Sequence, residues 1–307
     1  MSQPRILVVG GGVAGCALAL ALRRIGHEVE LYEARLLLND GEGAFLNVAP
    51  NGQAVLRALG VVELEAIGGF TNDRLSFLNE RGRHLADVSI GGVTIMRGAL
   101  CRALRVAAVA AGARIHHGKT VTAAESTANG ARARFDDGST AEGHALIGAD
   151  GIHSAVRRSI FIDAPRPAYT GVLNLGGLVT TQLAPTGTAM NMVFGRRAFF
   201  GYAVPAEGQT YWFSNFAQAS EPPRRGSAVS ARFYRKQLLE LHRGDPLDVR
   251  TVLEAIGDEI DIYPIHAMPS LPSWHLGRVG LIGDAAHAIG PHVGQGASLA
   301  LEDAFEL

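Results

Sequence analysis

The residues near the amino terminus whose types and spacing could do chemistry are three glycines and one acid. Residues 10–15 read GGGVAG, a G-x-G-x-x-G turn between a predicted strand and a predicted helix. Gly10 permits the tight turn, Gly12 lets the backbone approach a pyrophosphate, and Gly15 allows close packing of helix on strand. Glu33 ends the following strand, where an acid accepts hydrogen bonds from ribose hydroxyls. Because a helix amino terminus also attracts anions, this segment predicts a dinucleotide site.

A second segment with chemistry-bearing residues, positions 149–157, reads ADGIHSAVR and follows another predicted strand. Asp150 and Gly151 end that strand, and Gly151 permits close approach of the backbone to a ligand. Ser154 is placed to cap the helix that follows. Arg157 either braces the turn or meets a phosphate, because a guanidinium bonds well to oxygen acceptors of both kinds. The segment fits a ligand site, and it also fits an ordinary junction of strand, cap and helix.

The third and most specific segment joins a strand end, an acid and a second glycine turn. Residues 277–287 read GRVGLIGDAAH, and residues 291–296 read PHVGQG. The predicted strand ends at Gly283 and Asp284, and a predicted helix begins after the second glycine turn. An acid and a helix terminus therefore follow this strand as well.

Together with the EAR tripeptide at 33–35, these segments resemble the flavoprotein monooxygenases related to 4-hydroxybenzoate hydroxylase, the class A family. Residues 150–157 match that family's D-G-x-x-S-x-V-R pattern at every fixed position, and the resemblance runs from residue 5 to residue 307. It implies an α/β fold: a Rossmann-like FAD-binding domain of the GR2 type with an inserted antiparallel-sheet substrate domain. It also implies FAD as the cofactor and NAD(P)H as the reductant.

By this resemblance, the FAD site draws on residues from all three segments. Arg35 lies over the adenosine or on the surface, and Asp284 binds the ribityl chain. Arg97 approaches the pyrophosphate or the ring, or is only a charge at the start of a helix. Residues 150–157 serve the pyrophosphate and the nicotinamide coenzyme, and residues 291–296 pass beside the isoalloxazine ring. The helix beginning there stabilises the anionic reduced flavin. The predicted cofactor-binding set is Gly10, Gly12, Val13, Ala14, Gly15, Glu33, Ala34, Arg35, Arg97, Asp150, Gly151, Arg157, Gly283, Asp284, Pro291, Gly294, Gln295, Gly296 and Ala297.

The sequence does not identify catalytic side chains, because the implied chemistry is centred on the flavin. His292 and Tyr202 are weak candidates, and His266 is a further candidate for substrate contact. His287 is interpreted as structural. Ser298 stands where many family members have asparagine, so the contact made by that side chain is left open. No metal site is predicted.

The implied reaction is hydroxylation of an aromatic or polyketide-like small molecule with NAD(P)H and O2, through a flavin C4a-hydroperoxide. An FAD-dependent reductase on the same scaffold and a non-catalytic FAD-binding protein are open alternatives. A halogenase lacks support because no W-x-W-x-I-P segment is present. A disulfide reductase lacks support because there is neither a redox cysteine pair nor a second G-x-G-x-x-G unit with an acidic partner. The strands predicted to wall the substrate carry Asn191, Val193, Phe199, Tyr202, Trp212 and Phe213, of which alternation lets about half face it.

The predicted elements explain how these segments can meet. A βαβ opening covers residues 5–32, and a change of character after residue 165 introduces a predicted antiparallel sheet. The other predicted elements are a helix at 50–59 capped by Asn51, a hairpin at 74–90, a helix at 98–111, strands at 144–149, 171–181, 190–203, 210–216 and 278–282, and helices at 231–242 and 247–256.

The chain is therefore expected to leave a cofactor-binding domain, build a second sheet and return. The predicted cofactor-binding domain is discontinuous and comprises residues 1–72, 97–165 and 275–307. The predicted substrate domain comprises residues 73–96 and 166–274. Family members continue past the third segment with further helices, so this C-terminal helical portion is expected to be absent from the chain.

Composition favours a protein that binds something small. The 307 residues carry a formal net charge of −1, which offers no case for a nucleic-acid or anionic-membrane partner. No targeting segment and no apolar run of about 18 residues is visible, so a cytoplasmic location is expected. Cys16 and Cys101 sit in unlike contexts and are expected to be reduced. The oligomeric state is not indicated.

Overall fold

The computed structural model describes residues 4–36, 43–222, 228–258, 260–291 and 294–307. These residues form two large β-sheets and one small sheet. The strands are β1 (Arg5–Val9), β2 (Glu28–Glu33), β3 (Phe45–Val48), β4 (Phe70–Asn79), β5 (His84–Met96), β6 (Arg114–His117), β7 (Val121–Thr127), β8 (Gly130–Phe135), β9 (Thr140–Gly143), β10 (Ala145–Gly148), β11 (Ala168–Val179), β12 (Ala189–Phe194), β13 (Phe199–Ala203), β14 (Thr210–Ala217), β15 (Asp261–Ala267), β16 (His275–Leu276) and β17 (Val279–Leu281). The helices are α1 (Val13–Arg24), α2 (Pro50–Ala58), α3 (Arg97–Ala110), α4 (Ala155–Ile160), α5 (Ala228–Leu241), α6 (Leu247–Glu254), α7 (Asp284–His287) and α8 (Gly296–Glu306).

The six-stranded sheet has the order β16-β17-β10-β1-β2-β6, and all its pairs except β16 with β17 are parallel. Residues 6–9 of the central strand β1 are apolar, and Leu7 and Val8 are fully buried, as expected of a strand covered on both faces. Helices α1, α2, α3 and α8 form a core on one face. The β7-β8-β9 sheet and α4 cover the other face. The carboxyl ends of β1, β2, β10 and β17 consequently meet at one edge.

The eight-stranded sheet has the order β15-β11-β14-β13-β12-β4-β5-β3, and all its pairs except β12 with β4 are antiparallel. Helices α5 and α6 pack on one face, called here the helix face. The opposite face, which carries Phe213 and Asn215 of β14, is called the site face. The sheet curls over this site face, because Phe45 of the edge strand β3 contacts the Phe213 ring at a centroid distance of 6.3 Å. Strand β3 lies within residues 1–72, which the sequence assigned to the cofactor-binding domain, yet it pairs with β5.

The βαβ opening, the hairpin of β4 with β5, and the predicted helices are confirmed, with two local differences. Helix α2 begins at Pro50 behind Ala49 and has no side-chain cap, so the predicted capping role of Asn51 is wrong. The fixed φ of proline starts this helix instead. Residues 190–203, predicted as one strand-like segment, form two antiparallel strands, β12 and β13. Among the described residues, no helix has the length and apolar character needed to cross a bilayer.

Candidate functional site

The first glycine turn lies directly after β1 and has two glycines that the packing requires. Gly10 has a φ of +106°, and a Cβ there would overlap the carbonyl of Ala149 at the end of β10. A Cβ on Gly15 would overlap the carbonyl oxygen of Gly10, so α1 can approach β1 this closely only with glycine at that position. The tight turn at Gly10 and the close packing at Gly15 were predicted from the sequence, and the close approach of Gly10 to Ala149 was not.

Gly12 differs from these two glycines because the space above it is open. A Cβ built there meets only the guanidinium of Arg97, whose Nη2 atom would lie 3.8 Å away. Gly12 is also the N-cap of α1, which has no side-chain cap and no acidic residue in its first turn. The backbone N–H groups at this helix terminus thus face a space suited to a phosphate group.

Glu33 and Cys16 hold the turn from two sides. The Glu33 carboxylate, at the end of β2, accepts hydrogen bonds from the backbone N–H of Gly11 at 2.7 Å and of Arg35 at 2.9 Å. The Cys16 thiol donates to the Gly11 carbonyl at 3.3 Å, and burial raises the pKa of this thiol to about 12. The thiol therefore stays neutral, and the Glu33 carboxylate holds the turn through hydrogen bonds to the backbone. Ala34 and Arg35 follow it and are exposed.

The second segment folds as the predicted junction of strand, cap and helix. The Ser154 hydroxyl accepts a hydrogen bond from the backbone N–H of Arg157 at 2.8 Å. Asp150 Oδ2 accepts from the N–H groups of Ala155 at 2.7 Å and Val156 at 3.1 Å, while its buried Oδ1 atom has no hydrogen-bond partner. Gly151 has a φ of +76° and open space where a Cβ would stand.

Arg157 connects this segment to the third one. Its side chain is buried, and it donates to the carbonyls of Ile152 at 2.6 Å and Ala285 at 2.9 Å. Two nitrogens of the guanidinium are bonded to backbone carbonyls of the chain, which is the bracing role, while its buried Nε atom has no hydrogen-bond partner. The predicted contact of Arg157 with a phosphate stays a prediction.

The third segment places an exposed acid at the end of β17. Gly283 has a φ of +56°, and Asp284 follows it with an exposed side chain as the first residue of α7. Asp303 of α8 holds this loop, because its carboxylate accepts from the Gly283 N–H at 2.7 Å and lies 2.5 Å from His287 Nε2. This hydrogen bond raises the pKa of His287. His287 has the predicted structural role, and the ring of Trp274 packs against it at 4.9 Å.

Asp303 is a site residue that sequence reasoning missed. The available signal was an acid in the helix that follows the second glycine turn, but helical acids are common on solvated faces. The structure shows the contact of Ser298 that the sequence left open. Its buried hydroxyl accepts a hydrogen bond from the backbone N–H of Ala49 at 3.0 Å and joins α8 to the start of α2.

The amino terminus of α8 is preceded by Pro291 and by Gly294, which has a φ of +66°. Gln295 is the N-cap and supplies no side-chain cap, and Gly296 and Ala297 open the helix. The N–H groups of this terminus are therefore not capped by its own side chains. The weak catalytic candidate His292 lies outside the described residues.

Arg97 completes the cleft around the first glycine turn. It begins α3 directly after β5, and its side chain is exposed. Arg97 thus follows a strand of the eight-stranded sheet directly and lies beside Gly12 of the glycine turn. Burial and Asp261 raise the pKa of Tyr263 of β15, and the charge of Arg97 lowers it.

The six residues predicted to wall the substrate are divided between the two faces of the eight-stranded sheet, so the prediction is only partly right. Asn191, Val193, Tyr202 and Trp212 lie on the helix face. Tyr202 is 3% exposed and its hydroxyl donates to Asp248 of α6 at 3.0 Å, so it is withdrawn as a catalytic candidate. Of the predicted six, Phe199 and Phe213 lie on the site face.

His266 is engaged with protein groups. Its Nε2 atom lies 3.0 Å from Glu221 and its Nδ1 atom 3.0 Å from the carbonyl of Pro264. Both ring nitrogens therefore have partners within the chain, which argues against direct contact with a substrate.

Comparison with known proteins relates this arrangement to flavoproteins. The sequence model of the FAD binding domain family matches residues 3–307. The aurachin C monooxygenase/isomerase of Stigmatella aurantiaca is 31% identical over 98% of this chain and 79% of its own length. An FAD-dependent urate hydroxylase of Klebsiella oxytoca is 30% identical over 99% of this chain and 80% of its own length. The crystal structure of Klebsiella pneumoniae HpxO complexed with FAD and uric acid superposes with a TM-score of 0.87 at 28% identity, covering 98% of this chain and 78% of that one.

Proposed function

The chain belongs to the FAD binding domain family of FAD-dependent aromatic monooxygenases, and from that premise we propose that it hydroxylates a small aromatic or polyketide-like molecule with NAD(P)H and O2. One observation carries the proposal. The ends of β1, β2, β10 and β17 bring a glycine turn, a carboxylate, a second turn and an exposed acid to one edge of a parallel sheet. Dinucleotides bind at such an edge.

We assign the FAD contacts within the predicted set to the residues that face this edge. The N–H groups at the start of α1, with Arg97 beside them, would hold the pyrophosphate. Glu33 would accept hydrogen bonds from the ribose, and Asp284 from the ribityl chain. The open space above Gly12 supports this assignment, because a side chain would fill it.

FAD supplies the redox and oxygen chemistry when bound, and the chain supplies binding, orientation and the local field. The uncapped terminus of α8, at residues 294–297, would direct partial positive charge toward the flavin ring. The aromatic side chains of the site face exclude water from the reacting position. We assign no acid–base side chain to the reaction, and His292 remains a prediction from the sequence.

The substrate would lie against the site face, beneath the curl made by β3. The solved relative with uric acid bound supports a planar, heteroatom-bearing ring as the ligand. The relatives named above include a monooxygenase and a hydroxylase, so the reductase alternative is not favoured. We also propose the division into a cofactor-binding and a substrate domain, and a cytoplasmic location, where NAD(P)H is supplied.

The proposal is tested by following NADPH and NADH oxidation by the FAD-loaded chain in air, with and without a panel of phenols and polycyclic aromatics. We expect one compound to accelerate oxidation and to yield a product heavier by one oxygen atom. Reduction that proceeds equally without oxygen and leaves a reduced substrate would point to the reductase. No flavin reduction under any condition would leave only a non-catalytic FAD-binding protein.

The site assignment is tested separately by cofactor retention. We expect Gly12→Val to abolish FAD binding, because its side chain would displace the pyrophosphate, and Asp284→Ala to weaken retention at least tenfold. The flavin-to-protein absorbance ratio after purification measures both effects. Gly257→Val is the matched control, since a Cβ there also meets open space but lies away from the site. Normal flavin content in Gly12→Val would remove the glycine turn from the site.

A further inference from the structure

One row of residues across the site face is divided into a polar half and an aromatic half. Tyr263 of β15, Asn174 of β11 and Asn215 of β14 are partners in register. The row continues from Asn215 to Phe199 of β13 and on to Phe194 of β12. Residues opposite each other in antiparallel pairs point to the same side, and strands lie about 4.8 Å apart, so this row spans roughly 19 Å.

The polar half carries the hydrogen-bonding groups of the row. Arg97, which directly follows β5 of the same sheet, lies beside Gly12 of the cofactor cleft. The Oδ1 atom of Asn215 is buried and has no hydrogen-bond partner. Buried polar atoms are nearly always satisfied, so this amide is suited to an N–H or O–H group of a bound ligand.

The other half belongs to a continuous strip of five rings, defined here as the aromatic strip: Phe45, Phe213, Phe199, Phe194 and Phe77. Successive ring centroids lie 6.3, 6.0, 5.3 and 5.7 Å apart. A Cβ on Gly201 would overlap the Phe213 ring, so glycine at that position lets this ring lie flat against the sheet. The strip therefore forms an apolar surface that begins beside Asn215.

The aromatic strip leads outward to solvent. Phe194 is 50% exposed, and the other four rings are half-buried, whereas Phe200 and Trp212 on the helix face are at most 1% exposed. An exposed apolar surface of this kind marks a binding site for a ligand or partner. Its continuity with the polar half favours one occupant, the apolar part of a molecule whose polar ring lies at Asn215.

We propose that the substrate carries an apolar arm, and that the aromatic strip from Phe213 to Phe194 binds this arm while Asn215 binds a ring hydroxyl or N–H. The inference rests on the proposed function for the position of the reacting ring. From Asn215 to Phe194 the row covers two strand spacings, so the substrate reaches about 10 Å along it. A compact single-ring substrate would leave the outer half of the strip bare.

The test measures binding of phenol, 4-ethylphenol and 4-hexylphenol to the FAD-loaded, oxidised protein by titration calorimetry. We expect each added methylene to tighten binding about threefold, as partial burial of apolar groups gives. Phe194→Ser should weaken 4-hexylphenol about fivefold and leave phenol unchanged. Phe233→Ser is the matched control, because Phe233 is 61% exposed on α5, on the opposite side of the sheet.

Two outcomes would overturn the inference. One is an equal effect of Phe194→Ser on phenol and 4-hexylphenol, or no effect on either. The other is a dimeric protein that Phe194→Ser turns into a monomer, which would make the strip an interface between two copies. The calorimetric titration needs no turnover. Failure of the hydroxylation assay would therefore count against the proposed function, whereas the dependence of affinity on alkyl-chain length tests the aromatic strip separately.

Discussion

The two faces of β14 put alternate residues of one strand to opposite uses. On the helix face, Trp212 and Ser214 are at most 1% exposed and pack under α5 and α6. On the site face, Phe213 and Asn215 are half-buried, whereas a buried atom without a hydrogen-bond partner occurs on both faces, Trp212 Nε1 on one and Asn215 Oδ1 on the other. The comparison indicates that one face is packed for stability, while the other is the face to which we assign the substrate, with the period of two keeping them apart.

The helix face also carries an arrangement that resembles a catalytic triad. Ser214 Oγ lies 2.8 Å from His242 Nε2, and His242 Nδ1 lies 2.8 Å from Asp245 Oδ2. The order serine, histidine, acid is that of a hydrolase nucleophile. Here Ser214 is fully buried and His242 is 4% exposed, so no substrate can reach the hydroxyl. The network joins β14 to the end of α5 and is structural.

The largest difference between the faces is expected in stability. Trp212→Ala should lower the free energy of unfolding by about 3–5 kcal/mol, because it removes a fully buried ring. Phe213→Ala should lower it by only about 1–2 kcal/mol and weaken binding of aromatic ligands. Urea unfolding followed by circular dichroism measures both. Equal losses for the two variants would contradict the division of roles.

A smaller, pH-dependent effect is expected from His242. Burial lowers the pKa of His242, although its hydrogen bond with the Asp245 carboxylate opposes this, so folding disfavours the charged ring. The unfolded chain then binds the additional proton, and stability falls as pH drops below about 6.5, by up to about 1.4 kcal/mol per pH unit.

His287 provides the opposite control for that measurement. Its hydrogen bond with Asp303 raises its pKa, so its contribution is present below pH 6.5 and is lost as pH rises through the folded pKa. Denaturant titrations between about pH 5 and pH 8, on either side of the ordinary histidine pKa, give the free energy of unfolding against pH. Below about pH 6.5 this free energy should fall less steeply in His242→Gln than in wild type, and His287→Gln should not show this change. An equally steep loss of unfolding free energy at acid pH in wild type and His242→Gln would assign that loss to other groups.

The smallest effect is expected for Tyr202→Phe. Its hydroxyl bonds the exposed Asp248, which water can satisfy when the hydroxyl is removed. Stability should fall by about 1 kcal/mol, and turnover with any accepted substrate should be unchanged. A large loss of kcat at normal flavin content would return Tyr202 to the site and break the comparison of the two faces.

Local patterns explain what could be predicted from the sequence. The glycine turn, the Ser154 cap and the strand ends depend on residues close together in the chain, and their arrangement was predicted. The face of the sheet on which each side chain lies was not predicted. Residues 190–203 contain a turn that the aromatic run concealed, so the side occupied by Tyr202 could not be assigned without the pairing of β12 with β13.

Long-range contacts were also beyond local patterns. The bond from Arg157 to Ala285 and that from Ala49 to Ser298 join residues that are far apart in the chain. The sequence showed that Arg157 could brace something, but not what. Residue type limits the possible partners of a side chain, and the packing of the sheets and helices determines which of them it meets.

The parallel sheet has a consequence for how the protein is made. Strand β1 pairs with β10, and β10 pairs with β17 at residues 279–281, which are translated long after β1. At about 5–20 residues per second, a ribosome needs on the order of ten seconds or more to deliver β17 after the glycine turn has emerged. Until then the nascent chain exposes the apolar edge of β10, so the period before β17 is delivered is when this fold most needs a chaperone.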